Sequence, residues 1–313
     1  MGTMVYLALF ILLVLVFLFG MMGLRKGLFN LSADTMKKWI ASMTDTPFKG
    51  MLAGIIVTAL LHSSSAVMVI TIGLISAGLL TFRQSIGIIL GSNIGTTFTL
   101  EIITIDIDVF IVPLAILGAI LMFTGRARNQ NIGRISLGMA AVFAAMRGFS
   151  FLAEPLTSLS IVQNMLNHIN DSLFYSLIAG TLITAIIQSS TAMSGILMSF
   201  LAEGTLQFAP ALTAMLGANI GTCATALLAS TGAGREARLT AYAHLWLNLA
   251  GTLFFFPFID DYALIAPLTA DRLDVQLAHA SVLFNVVSSL VVLPFANQYG
   301  KMILYFHGKA EVK

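Results

Sequence analysis

The 313-residue chain is short of charge. Only 10% of its residues are Asp, Glu, Lys or Arg, and 58% are hydrophobic, whereas a soluble domain carries about a quarter charged residues. So few charges cannot cover a water-facing surface, which excludes a soluble enzyme and a disordered regulator. The charge that exists is nearly balanced, 16 Lys and Arg against 14 Asp and Glu. No basic excess therefore invites nucleic acid. The single cysteine, Cys223, forbids an internal disulfide and a cysteine-rich metal site. No other His, Asp or Glu spacing suggests a transition metal. The first apolar run, beginning at Val5, has no basic residues before it and no small-x-small cleavage site after it, so it reads as a retained span rather than a signal peptide. What is present instead is long apolar runs. They exclude a membrane β-barrel and define an all-α polytopic membrane protein embedded in a lipid bilayer.

A crossing helix needs roughly 20 apolar residues. Crossings are expected at 4–23, 86–103, 109–124, 135–153, 208–229, 239–259 and 277–296, with more polar interfacial helices or loops at 27–44 and 156–172. Two other apolar stretches, 51–80 and 177–206, are interrupted by His62-Ser63-Ser64-Ser65 and Gln188-Ser189-Ser190-Thr191. Gly50 to Leu61 makes about 18 Å of helix, roughly half the ~30 Å hydrocarbon core. Each stretch is therefore read as a re-entrant hairpin with its polar tip at mid-membrane. One long tilted helix is the alternative. Charge decides between them. With two hairpins, 14 of the 16 Lys and Arg fall on one side, among them Arg25, Lys26, Lys49, Arg83, Arg126, Arg128, Arg134, Arg235 and Arg238. The positive-inside rule makes that side cytoplasmic, with the N-terminus outside and the C-terminus inside.

An internal repeat lies at an offset of 126 residues. The tip 62–66 falls over 188–192, and Gly91-Ser92-Asn93-Ile94-Gly95-Thr96-Thr97 falls over Gly217-Ala218-Asn219-Ile220-Gly221-Thr222-Cys223. From Gly54 to Leu100, 17 of 47 positions match their partners, more than a shared apolar composition explains. Three crossings separate equivalent points. An odd number turns one copy upside down, which predicts an inverted-topology repeat with discontinuous helices, an architecture of alternating-access transporters. The expected division is 1–128 for repeat 1, 129–259 for repeat 2, and 260–313 for an outer loop, the final crossing 277–296 and a short cytoplasmic tail.

At each tip one half-helix ends in free carbonyls and the next begins with free amides. Ser63, Ser64 and Ser65, and Ser189, Ser190 and Thr191, suit a helix start. Two such N-termini, each carrying roughly +0.5 charge, form an anion site. Carbonyl ends with hydroxyl and amide oxygens suit a small hard cation such as Na⁺. No Lys or Arg lies in these clusters, so a doubly charged anion would depend on dipoles, hydroxyls and co-bound cations. Arg147 is a basic side chain inside an apolar run; it either snorkels to the outer interface or reaches the anion from outside. The Gly-x-Asn-Ile-Gly-Thr strings pair helix-weakening glycines with oxygen ligands. Close helix packing alone is the competing reading of each string. An enzyme needs an oriented base, and no carboxylate accompanies His62.

At these motifs the sequence resembles the type II sodium/phosphate cotransporter family. The resemblance rests on the paired Gln-Ser-Ser-Ser-like tips and the paired Gly-Ala/Ser-Asn-Ile-Gly-Thr strings. Leu18-Phe19-Gly20-Met21, Thr58-Ala59-Leu60-Leu61 and Ala243-His244-Leu245-Trp246-Leu247-Asn248 also carry it, with a looser echo at Leu283-Phe284-Asn285. It implies Na⁺-coupled symport of inorganic phosphate by alternating access in a bacterial cytoplasmic membrane, with Na⁺ as coupling ion and no other cofactor. The implied phosphate contacts are Ser63, Ser64, Ser65, Ser189, Ser190 and Thr191, with His62 and Arg147 as further candidates. The implied Na⁺ ligands are Gln188, Asn93, Thr96, Thr97, Asn219, Thr222, Ser65 and Thr191. A phosphate exporter or an uncoupled anion pathway uses the same residues, and the oligomeric state, monomer or homodimer, stays open. Three positions depart from the family: His62 where Gln is usual, Thr191 for Ser and Cys223 for Thr. His62 either substitutes for the Gln as a neutral imidazole or titrates and makes transport H⁺-influenced. Bacterial members often carry a C-terminal regulatory domain, which this chain is expected to lack.

Overall fold

A computed structural model describes residues 2–105 and 108–308. Asp106, Lys309 and Lys313, which belong to the expected charge partition, lie outside the described residues. Among those described, fourteen α-helices and three short 3-10 turns account for the regular structure. Six helical segments are long and apolar enough to cross a membrane: Met4–Ala33, Phe82–Ile103, Ala127–Thr157, Phe208–Ala229, Arg235–Leu268 and Leu273–His307. Large apolar side chains stand on the outside, with Phe123 90%, Leu268 86% and Ile186 81% exposed. Water would not tolerate such a surface and hydrocarbon accepts it. The protein is a multi-pass, all-α membrane protein.

Helix α1 (Gly2–Ser42) is continuous. The expected crossing 4–23 and the polar segment 27–44, read from sequence as an interfacial helix or loop, form one helix. No proline interrupts it, its glycines Gly20, Gly23 and Gly27 stay helical, and backbone hydrogen bonding carries it past the basic pair. Thr46 caps α2 (Pro47–Leu61) by accepting from the Lys49 amide, with Pro47 at the first position, where a missing N–H costs nothing. Helix α3 (Ser64–Ser76) follows, then α4 (Phe82–Ile103), which opens on a Thr81–Gln84 capping box. Helix α5 (Asp108–Met122) has 15 residues and is shorter than the six crossing segments. Helices α6 (Ala127–Thr157) and α7 (Ser160–Asp171) lead to α8 (Leu173–Ile187), α9 (Ser190–Ala202) and α10 (Phe208–Ala229).

Helix boundaries recur at the 126-residue offset. Helices α2 and α8, α3 and α9, and α4 and α10 start and stop at positions 126 apart. Their packing matches too. A Cβ on Gly54 would stand 2.6 Å from the Ile88 carbonyl oxygen, and one on its counterpart Gly180 would strike the Ala214 carbonyl. Gly91 faces the Met51 carbonyl as Gly217 faces that of Leu177. Small residues thus let each first half-helix lie against the long helix of its own repeat, backbone on backbone. Each second half-helix touches both long helices: α3 packs on α4 and α10, and α9 packs on α10 and α4.

Beyond α10 the chain has a second, fainter periodicity. Helix α11 (Arg235–Phe255) runs through a turn at Phe256–Phe258 into α12 (Ile259–Ile265). Helix α13 (Leu273–Val292) runs through a turn at Leu293–Phe295 into α14 (Ala296–His307). The two turns lie 37 positions apart, as do Asn248 and Asn285, Pro257 and Pro294, and Tyr262 and Tyr299. Helix α11 packs on α10, α3 and α4, and α13 packs on α4, α9 and α10. Those two sets of neighbours exchange when the 126-residue copies are exchanged. Segment 277–296, expected outside the repeat, therefore stands to one copy as α11 stands to the other. The sequence alignment of 109–124 with 235–250 pairs α5 with α11, but α5 packs on α6 instead.

Candidate functional site

The two polar interruptions fold alike. His62 ends α2 with φ 50° and ψ 35°, and Gln188 ends α8 with φ 57° and ψ 30°. They are the only non-glycine residues with positive φ among those described. A left-handed corner of this kind costs about 1–3 kcal/mol, and it appears twice at equivalent positions. It turns the chain so that Ser63 and Ser189, both extended, cap the following helices: their hydroxyls accept from the Ala66 amide at 3.1 Å and the Ala192 amide at 3.2 Å. The next residues, Ser64, Ser190 and Thr191, are buried, and Ser65 is half-buried.

A cavity of about 470 Å³ brings the two interruptions together. Ser63, Ser65 and Ala66 line it from the first, and Gln188 and Thr225 from the second copy. Arg25 and Lys26 of α1 complete it, with apolar Phe29, Leu61, Val69 and Ile70 also in its wall. Arg25 is the residue that sequence reasoning missed. Counted by position along the chain, it belongs to the basic rim after the first span. Because α1 continues as helix, its guanidinium reaches the tip, and Nε donates to the His62 carbonyl at 3.3 Å. No Lys or Arg lies within the tip clusters, and Arg25 meets the first of them from α1. His62 points its ring elsewhere, with Nδ1 3.1 Å from Thr99 Oγ1. Thr225, which lines the cavity beside Gln188, is the 126-residue counterpart of Thr99. Its hydroxyl is buried without a partner.

The remaining expected ligands are more dispersed. Asn93 donates to Asn248 Oδ1 at 3.1 Å, a bond from α4 to α11. The counterpart Asn219 has a buried side-chain nitrogen without a partner. Thr96, Thr97 and Thr222 donate to the carbonyls of Ser92, Ile94 and Ala218. That bond satisfies the hydroxyl proton and leaves the oxygen lone pairs able to accept. Thr97 faces a different, apolar cavity of about 830 Å³ with Glu101 and His279, whose Oε2 and Nε2 lie 3.7 Å apart. Arg147 does not reach the tips. It pairs with Asp108 and lines a third cavity of about 450 Å³ with Glu203, Arg272 and Asp274. A carboxylate already compensates its charge, and its side chain is 70% exposed.

The two faces of this site are not equivalent. On one, the 470 Å³ cavity separates α1 from α3. On the other, α6 closes on α9: Met146 Sδ lies 2.7 Å from where a Gly195 Cβ would stand, and Ser199 Oγ donates to the Met146 carbonyl at 3.4 Å.

A multi-pass helical protein with paired broken helices meeting around one shared cavity has the build of a membrane transporter of small ions. Residues 16–151 and 155–266 match the Na⁺/Pi-cotransporter family, and the chain belongs to that family, whose members are transporters of phosphate rather than enzymes. It is 42% identical over 292 residues to "Uncharacterized protein YqeW" of Bacillus subtilis, covering 93% of this chain and 95% of that one. It is 26% identical over 276 residues to "Putative inorganic phosphate export protein YjbB" of Escherichia coli, covering 87% of this chain but only half of that longer protein. A 65-residue stretch is 40% identical to human "Sodium-dependent phosphate transport protein 2B", covering 21% of this chain and 9% of that one. No solved structure matches the chain significantly.

Proposed function

We propose that the protein is a sodium-coupled phosphate symporter working by alternating access, with its anion site at the two tips. The observation that carries this reading is the shared cavity. Ser63 and Ser65, at the positive N-terminal end of α3, and Gln188, at the corner of the opposite copy, line one space with Arg25. A helix N-terminus, hydroxyl donors and a guanidinium are an environment for an oxyanion. Buried Ser64, Ser189, Ser190 and Thr191 extend the donor set when the tips close around the substrate. Sodium is the co-substrate suited to the oxygen groups: the Gln188 amide, the Thr191, Thr96 and Thr222 hydroxyls, the Asn93 and Asn219 amides, and carbonyls at the half-helix ends. Bound Na⁺ raises anion affinity and anion raises Na⁺ affinity, by reciprocal linkage.

The unequal faces support an access cycle. If the copies are inverted, the α1–α3 face and the α6–α9 face open to opposite sides. The open face carries Arg25 and Lys26, so by the positive-inside rule the state is inward-facing, in a bacterial cytoplasmic membrane. Opening α6 from α9 while α1 closes on α3 would expose the same site outward.

The name of the Escherichia coli relative favours a second reading, phosphate export by the same site run in the opposite direction. Purified protein in proteoliposomes, loaded with and without sodium gradients, separates the two. Symport predicts saturable uptake of labelled phosphate driven by an inward sodium gradient and lost in Gln188→Ala. Phosphate movement indifferent to sodium would leave export or an uncoupled pathway. No phosphate movement and no phosphate binding would reject both.

A further inference from the structure

We propose that Arg25 is the fixed charge partner of the transported anion and the residue that adapts this site to a doubly charged oxyanion. The inference rests on the phosphate reading above and adds to it a residue on α1, outside both tips and both Gly-x-Asn strings.

Position comes first. Gly20, Gly23 and Gly27 place one face of α1 against α6, where Cβ atoms on Gly20 and Gly27 would run into Gly138, Ala141, Asn131 and Ile135. At 100° per residue, Arg25 projects from the opposite face of the helix. That face is turned to the first tip, as the Nε bond to the His62 carbonyl records. Tight packing on one side therefore fixes a guanidinium on the other.

Charge comes second. Three exposed basic side chains have carboxylates: Lys49 has Asp45, Arg147 has Asp108 and Arg272 has Asp274. Among the described residues no carboxylate pairs Arg25. Its neutral partner is the carbonyl that ends α2, while the N-terminus of α3 and Lys26 beside it add positive potential. A half-buried cation among like charges is costly unless something neutralises it. One bond to a carbonyl uses Nε and leaves the Nη donors for a ligand in the cavity that Arg25 lines with Ser63, Ser65 and Gln188. A guanidinium fork matches two oxygens of a tetrahedral oxyanion, which an ammonium cannot do. A dianion supplies the missing counter-charge in full.

The test is binding of labelled inorganic phosphate to the full chain in nanodiscs at saturating sodium, with melting temperature measured in phosphate-free buffer. Arg25→Gln is expected to raise the phosphate Kd by roughly 10- to 100-fold, the range of a charge-assisted hydrogen bond. The ligand-free melting temperature should hold or rise, because an uncompensated charge is removed. Arg25→Lys should recover part of the affinity, and Lys49→Gln should stay within about threefold of the parent, as for an exposed charge. Parental affinity in Arg25→Gln overturns the proposal. So does lost affinity with a lowered ligand-free melting temperature and no recovery in Arg25→Lys, which would mark a structural role. If the parent chain itself binds no phosphate, the transport reading fails first. If Gln188→Ala loses binding and Arg25→Gln does not, only the assignment of Arg25 fails.

Discussion

Gly91 of α4 lies directly against the carbonyl of Met51 in α2, with no room for a Cβ between them. The same relation joins Gly217 to Leu177 in the other copy. Gly91→Ala is expected to destabilise the folded protein by about 1–3 kcal/mol or more through overpacking of backbone against backbone. Gly73→Ala, where a Cβ meets nothing within 4 Å, should be neutral or stabilising by about 0.5–1 kcal/mol, as for alanine replacing glycine in a helix. Melting temperatures of the two variants in detergent check this, and equal behaviour would refute the packing argument.

Gln188 combines a left-handed backbone with a side chain in the cavity. Gln188→Gly keeps the corner and relieves its strain while removing the amide, and Gln188→Ala removes the amide alone. Both are expected to lose sodium-dependent phosphate binding by about tenfold or more, with Gln188→Gly the more stable of the two. Retained binding in Gln188→Gly would show that only the backbone of the corner matters.

Ser63 and Ser65 have separable roles. Ser63→Ala removes the cap of α3 and should cost about 1 kcal/mol of stability as well as phosphate affinity. Ser65 lines the cavity without capping anything, so Ser65→Ala should lower phosphate affinity and leave the melting temperature unchanged. Paired calorimetry and binding on the two variants distinguish these patterns.

His62 presents Nδ1 to Thr99 Oγ1, a bond that a glutamine amide can also make. His62→Gln is expected to keep phosphate uptake with an unchanged pH profile between about pH 6 and 8, the interval in which an ordinary histidine titrates. A flattened profile would instead assign His62 a titrating role in transport.

Arg147 is tied to Asp108 in a cavity apart from the tips. Arg147→Gln should leave the phosphate Kd within about threefold of the parent, as expected for an exposed ion pair. A larger loss would restore this residue to the anion path.

Much of the architecture was legible before any coordinates. The tip positions follow from polar residues interrupting apolar runs, and the copies follow from Gly-x-Asn-Ile-Gly-Thr recurring at a fixed offset. Both signals survive because serine caps, left-handed corners and close-approach glycines tolerate few alternatives. Arg25 was not legible. Its role depends on α1 remaining helical through a polar stretch, and hydropathy cannot distinguish a basic rim from a side chain folded back under a tip. The 37-residue relation was hidden for a different reason. Most lipid-facing positions accept any apolar residue, so few identities keep the trace: the Asn, Pro and Tyr pairs with scattered Ala, Leu and Phe.

The order in which helices are synthesised also bears on how the chain assembles. Helix α13 covers α4, whose Leu90 carbonyl accepts a bond from Ser289 Oγ at 2.9 Å across 199 residues. Until ribosome and insertion machinery release α13, the nascent N-terminal half must wait in the bilayer with a flank of α4 uncovered. A chain cut short before residue 273 would be inserted yet unfinished, a substrate for membrane quality-control proteases rather than a smaller working carrier.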